Sequence, residues 1–169
     1  MVVADSPVPH LGLGTWQNTG PEQCAESVRT ALEAGYRHID TAELYDNEEP
    51  VGEGIRTARV DREDVYLATK VLHPRAVEGD PEDLDRAQVR DAVQGCLDRL
   101  GVDSVDLMYV HWPAQWDLEL VHAALAECRD DGLVGGVGVS NYEPAHLQTA
   151  LDTDPEAVAN QVECHPLLP

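Results

Sequence analysis

Apolar residues in this chain alternate between two spacings: short, nearly continuous runs, and longer stretches in which they recur every three or four positions. Short runs lie at residues 11–16, 37–41, 65–71, 105–110, 133–139 and 157–163. Helical spacing fills the gaps. A first helix opens at Pro21, sets Cys24, Val28, Ala31 and Leu32 on one face, and stops at Gly35. A weaker one begins near Asn47, with Glu48 and Glu49 in the first turn where the helix dipole favours acid. The strongest spans 81–100, with Leu84, Val89, Val93, Cys96, Leu97 and Leu100 as its core face and Gly101 closing it; residues 78–85 read as a solvated acidic loop and helix start. Two more cover 118–128, stopped by Gly132, and 144–151 from Pro144.

Six strands alternating with five helices, without an Asn-Gly hairpin turn between strands, mean βαβ units and a parallel sheet under helical cover. Two architectures satisfy that order, a doubly wound sheet and a (β/α)8 barrel. The first should carry G-x-G-x-x-G after its first strand. Here Gly12 and Gly14 are followed by Thr15, Trp16 and Gln17, so the third glycine is missing. A barrel takes ~250 residues, so 169 residues accommodate about six βα units of one.

Charge narrows the function classes. The chain has 32 acidic and 11 basic side chains, a net charge of -21, which repels phosphate and argues against nucleic acid. Lys70 is its only lysine and phenylalanine is absent. Excess acid with almost no lysine is the pattern expected in molar salt, where self-repulsion is screened, so a halophilic source is expected. No apolar run reaches the ~20 residues of a membrane span, and no basic-then-apolar leader opens the chain. Cys24, Cys96, Cys128 and Cys164 are too widely spaced for a zinc or disulfide framework, and a cytoplasmic location follows as the expectation. The histidines show no metal-binding spacing, so no metal is expected. Cys164 and His165, adjacent on a strand, would face opposite ways and make no thiol–imidazole pair.

In parallel α/β folds the working residues gather at the C-terminal strand ends. Taken strand by strand, those ends carry Thr15, Asp40, Lys70, His111, Ser140 with Asn141, and Gln161, and Tyr45 follows Asp40 by five residues. A phenol with a pKa near ~10 is a poor acid at neutral pH unless a cation stabilises its phenolate. Lys70 can supply that cation, with Asp40 holding it. His111 can donate a hydrogen bond to a carbonyl oxygen while Tyr45 gives it a proton. None of these groups supplies a hydride, so a nicotinamide would have to come from outside. Each residue alone has an ordinary structural reading; their succession at consecutive strand ends favours chemistry.

These segments resemble the aldo-keto reductase family over nearly the whole chain. Leu11-Gly-Leu-Gly-Thr-Trp16 resembles its first strand. Gly35-Tyr-Arg-His-Ile-Asp-Thr-Ala42, with Tyr45 and Asn47-Glu-Glu, resembles its Asp and Tyr segment. Ala68-Thr-Lys70 resembles its lysine strand and Val105-Asp-Leu-Met-Tyr-Val-His-Trp-Pro113 its histidine strand. Gly138-Val-Ser-Asn141 and Asn160-Gln-Val-Glu-Cys-His-Pro166 resemble its fifth and sixth. The resemblance implies a TIM barrel, cut to about six βα units, that reduces an aldehyde or ketone with the pro-R hydride of NADPH, or less often NADH. Tyr45 would be the acid–base residue and Asp40, Lys70 and His111 would complete the tetrad. Thr15, Asp40, Ser140, Asn141 and Gln161 would bind cofactor, and Trp16, His111 and Trp112 substrate.

The family's seventh strand, with an aromatic that stacks on the nicotinamide, and its eighth, which binds the pyrophosphate and adenosine phosphate, have no counterpart here. The expectation is therefore a single domain over 1–169, incomplete at its C-terminal side, with exposed strand edges that invite self-association or a complementing chain. The alternative is a fragment without catalysis of its own until another chain completes it. A metal-dependent barrel hydrolase ranks last for want of ligand spacing.

Overall fold

The computed structural model describes residues 8–77, 83–114, 116–157 and 159–167. Its strands are β1 (Leu13–Gly14), β2 (His38–Asp40), β3 (Tyr66–Val71), β4 (Leu107–Val110), β5 (Val137–Ser140) and β6 (Asn160–Gln161). Between them run α1 (Pro21–Glu33), α2 (Glu48–Thr57), α3 (Arg86–Leu100), α4 (Leu118–Asp130) and α5 (Pro144–Thr153). All pairings are parallel, in sheet order β1-β2-β3-β4-β5-β6.

Alternation along each strand separates two faces. Leu67 and Val71 on β3, Met108 and Val110 on β4, and Val137 and Val139 on β5 join Val28, Val51, Val93 and Leu125 of the helices in one large buried cluster. The opposite face holds a smaller cluster, Ala68, Leu107 and Tyr109, with Tyr66 and Ala159 packed against it. The central strands are thus buried on both faces, which is why they read as unbroken apolar runs. A Cβ on Gly138 would sit 2.7 Å from the Tyr109 ring, so glycine on β5 makes room for that ring.

The sheet curls. Gln161 on β6 donates from Nε2 to Asp40 Oδ2 on β2 at 2.9 Å. Four strand spacings in a flat sheet span ~19 Å, beyond the reach of these side chains. Curvature therefore folds the inner face into the concave wall of a partial barrel.

Element order agrees with the sequence reading, and boundaries differ for identifiable reasons. The edge strands shrink to two residues each because they have one ladder partner instead of two. The first half of the run at 133–139 makes only an isolated bridge, Val105 with Val134, before β5 begins. The helix expected from Pro81 starts at Arg86. Asp85 caps it, accepting from Gln88 N at 2.9 Å while Gln88 Oε1 accepts from Asp85 N at 2.8 Å. Residues 78–82 of the expected acidic loop lie outside the described residues. The stops at Gly35, Gly101 and Gly132 all take positive φ. The four cysteines are free, and no helix among the described residues is long and apolar enough to cross a membrane. Cys164 and His165 lie beyond β6, where His165 Nε2 meets Glu163 Oε1 at 2.7 Å.

Candidate active site

The residues expected at the strand ends, Thr15 excepted, converge on one rim of the concave face. Lys70, on the inner face of β3, is almost wholly buried, with its ammonium paired to Asp40 Oδ1 from β2. It also donates to Thr41 O at 2.8 Å. Burial pushes the ammonium down from its ordinary value, and Asp40 opposes the shift. Gln161 donates to the second Asp40 oxygen, so that carboxylate joins three strands.

Tyr45 closes a short 3-10 turn after β2, and Asp46 in the left-handed region ends the turn. Its ring lies 5.1 Å from Lys70 Nζ and meets the His111 ring edge-on at 5.7 Å between centroids. One expectation is not met. Lys70 was to lower the phenol, yet Tyr45 is pushed up to about 12 by burial, with the Asp40 carboxylate adding to it. The ammonium faces the ring and spends its hydrogen bonds on Asp40 and Thr41, so desolvation prevails. Tyr45 accordingly holds its proton.

His111, one residue past β4, is pulled down to about 3, first by burial, then by Lys70, His73 and Arg75. It is a neutral imidazole, and its Nδ1 is buried without a partner among the described residues. A neutral ring can donate one N–H hydrogen bond without adding charge. Asn141, at a φ of 61°, donates from Nδ2 to His111 O at 3.2 Å and to Ser140 Oγ at 3.1 Å. Ser140 in turn donates to Gln161 O at 3.1 Å. Asn141 Oδ1 and Gln161 Oε1 make no hydrogen bond among the described residues, which leaves two amide oxygens as acceptors.

Thr15 sits within the wall rather than on the open rim. Its hydroxyl donates to Thr41 Oγ1 at 2.9 Å, which donates to Asn47 Oδ1 at 2.8 Å, and Asn47 Nδ2 returns to Thr15 O at 2.9 Å. The loop is closed and buried, and it ties the end of β1 to the start of α2. Trp16 and Trp112 are exposed at the mouth, whereas Trp116 is buried and donates to Trp112 O at 3.1 Å.

Sequence reasoning passed over two neighbours of this group. Three residues past Lys70, His73 stacks edge-on against His111 at 4.9 Å and lies 6.3 Å from Trp112. Arg75 lines the same cavity as Tyr45 and Trp16. The signal that could have found them is position: both fall in the loop leaving β3, where a barrel keeps working residues. Among the described residues, the four non-glycine positions with positive φ, Gln17, Asp46, Leu72 and Asn141, also border this rim. Leu72 is the costly one, at ~1–3 kcal/mol, because its side chain has no polar group to compensate.

A curled parallel sheet with its polar side chains collected at the C-terminal strand ends defines the partial barrel of a (β/α)8 protein, about six βα units long. The chain belongs to the aldo/keto reductase family, whose profile matches residues 10–169. It is 43% identical over 165 residues to an aldo-keto reductase of Mycobacterium sp. (strain KMS), covering 96% of this chain and 56% of that protein. It is 37% identical over 164 residues to methylglyoxal reductase DkgA of Escherichia coli (strain K12), covering 95% of this chain and 56% of the relative. The solved aldo/keto reductase of Brucella melitensis superposes with a TM-score of 0.81 at 35% identity, over 95% of this chain and 60% of that one. The chain thus spans about half the length of the curated relatives it matches.

Proposed function

We propose that this chain carries the proton-donating and carbonyl-polarising part of an NAD(P)H-dependent reductase that turns an aldehyde or ketone into an alcohol. The observation that carries the reading is the juxtaposition of the Tyr45 and His111 rings beside the buried Lys70–Asp40 pair. His111 donates a hydrogen bond to the carbonyl oxygen, and Tyr45 delivers its proton to the same atom as the carbonyl carbon becomes tetrahedral. Lys70 and Asp40 hold the Tyr45 ring and neutralise one another, so no net charge is left to pull on the substrate. Trp16 and Trp112 flank the entrance.

NADPH, or alternatively NADH, supplies the hydride when bound. The residues present fit its nicotinamide end: the spare Oδ1 of Asn141 and Oε1 of Gln161 suit a carboxamide NH2, and the Ser140 hydroxyl lies between them in the same network. Thr15 braces that side of the site instead of offering a donor. The proposal includes a cytoplasmic location in a salty cell, a single domain over 1–169, and a small carbonyl compound as the only substrate partner.

A second reading has its own observation. β1 and β6 each have one neighbour in the sheet, which favours a cofactor site completed by a further segment, a second copy or another chain. One experiment separates the two: NADPH oxidation with glyceraldehyde, in molar KCl and in low salt, with nucleotide titration alongside. Turnover that falls at least ~100-fold in Tyr45→Phe supports the reductase. Nucleotide binding and turnover that arise only after the remaining barrel units of the longer relatives are added support the second reading. Measurable turnover that is equal in parent and Tyr45→Phe, in the chain alone or completed, refutes both.

A further inference from the structure

A cavity of about 310 Å³ opens beside Tyr45, lined by Trp16, Gln17, Thr19, Leu44, Tyr45 and Arg75. Arg75 is the charged member of that lining. Seven of the ten arginines, Arg29, Arg56, Arg62, Arg86, Arg90, Arg99 and Arg129, are ion-paired. The Arg75 side chain is exposed and makes neither an ion pair nor a hydrogen bond among the described residues. Arg59 is likewise exposed and without an ion pair or hydrogen bond among the described residues, so it is the place of Arg75, at the mouth of the cavity beside Tyr45, that singles it out.

The backbone directs it there. Leu72, at a φ of 62°, turns the chain sharply as it leaves β3. His73 Nδ1 then accepts from Arg75 N at 3.1 Å, which fixes the start of the loop while His73 packs on His111. Arg75 also depresses both histidines, so its charge is felt inside the cluster.

Resting on the reductase reading above, we infer that the cavity takes a carbonyl compound that also bears a carboxylate, an oxo acid, with the carboxylate against Arg75 and the carbonyl oxygen toward Tyr45. A planar guanidinium matches a carboxylate through two parallel N–H···O bonds. Orientation follows from the other charges. Lys70 is matched by Asp40 and His111 is neutral, so neither competes for the anion. The two ends of the substrate are thereby told apart by charge alone.

The test compares 4-oxobutanoate with its methyl ester, which keeps the carbonyl and removes the charge. Affinities are measured by titration calorimetry on the full chain without nucleotide, for the parent, Arg75→Gln and Arg75→Lys. The parent binds the acid at least about tenfold more tightly than the ester. Arg75→Gln brings that ratio close to one, and Arg75→Lys, which keeps the charge without the fork, falls between. A parent ratio near one overturns the inference. So does an Arg75→Gln protein that loses affinity for both compounds in proportion, because that is the mark of a structural role. Adding NADPH separates the two levels: acid binding through Arg75 together with turnover that Tyr45→Phe leaves unchanged refutes the reductase reading and upholds the anion site.

Discussion

Replacing Asp40 by Asn removes the one carboxylate that Lys70 contacts among the described residues and leaves the ammonium 1% exposed. What remains around it is Thr41 O at 2.8 Å and the faces of Tyr45 and Tyr109, 5.1 and 5.9 Å from nitrogen to ring centroid. Stranding a buried charge in this way costs about 3–5 kcal/mol. Lys70→Met strands the other partner, but the Asp40 side chain is 13% exposed and keeps the Gln161 amide at 2.9 Å, so its cost belongs at the lower end of that range. The double variant removes both charges, lets the methionine stem fill the lysine's place, and keeps an amide for Gln161. It should lie within about 2 kcal/mol of the parent. The coupling between the two sites is then at least about 4 kcal/mol. Urea unfolding of the four proteins measures it. A second feature marks the mechanism. In Asp40→Asn the folded-state lysine pKa lies further below the unfolded value, the unfolded chain binds more protons between the two, and stability therefore rises with pH across that window. Additive single costs, or an Asp40→Asn variant whose stability does not recover as pH rises, would refute the assignment of Lys70 as a charge that Asp40 keeps in place.

Other outcomes follow from single features. His122 is buried beneath Tyr142, with Nε2 and Oη 3.2 Å apart, and burial pulls it down to about 4 against the pull of Asp154. Because its folded value lies below the unfolded one, its contribution is complete above pH ~6.5 and is lost as pH falls toward 4, about 3 kcal/mol at pH ~4. His122→Gln should flatten the acid side of the stability curve by that amount, as read from urea midpoints; an unchanged curve refutes it. On α2, a Cβ at Gly52 would run into the Leu100 carbonyl oxygen, which is backbone and cannot swing aside, so Gly52→Ala should lose about 3 kcal/mol or more by the same assay. With a net charge of -21, the urea midpoint should climb as KCl rises from about 0.1 M to about 1 M, where the screening length shortens from ~10 to ~3 Å. A flat or falling midpoint would argue against salt adaptation.

What the sequence by itself determined is local. Apolar spacing marked six strands and five helices in order, because burial on two faces or one leaves a period that a single segment displays. Gly101 and its counterparts marked helix ends because a left-handed turn favours glycine. Reading off the strand ends also collected Asp40, Tyr45, Lys70 and His111, since a parallel βα chain returns every strand to the same rim. Other properties depend on residues far apart, and only the tertiary structure decided them. Strand length at the edges depends on the number of partners, so β1 and β6 are shorter than their apolar runs. Curvature alone brings Gln161 to Asp40 across 121 positions of sequence. The sign of the Tyr45 shift turned on which atoms Lys70 faces and how much water the site excludes, neither of which a spacing encodes. His73 and Arg75 joined the site through the left-handed turn at Leu72, a conformation that leucine does not announce. Periodicity is a property of neighbours along the chain, whereas charge, desolvation and strain belong to neighbours in space.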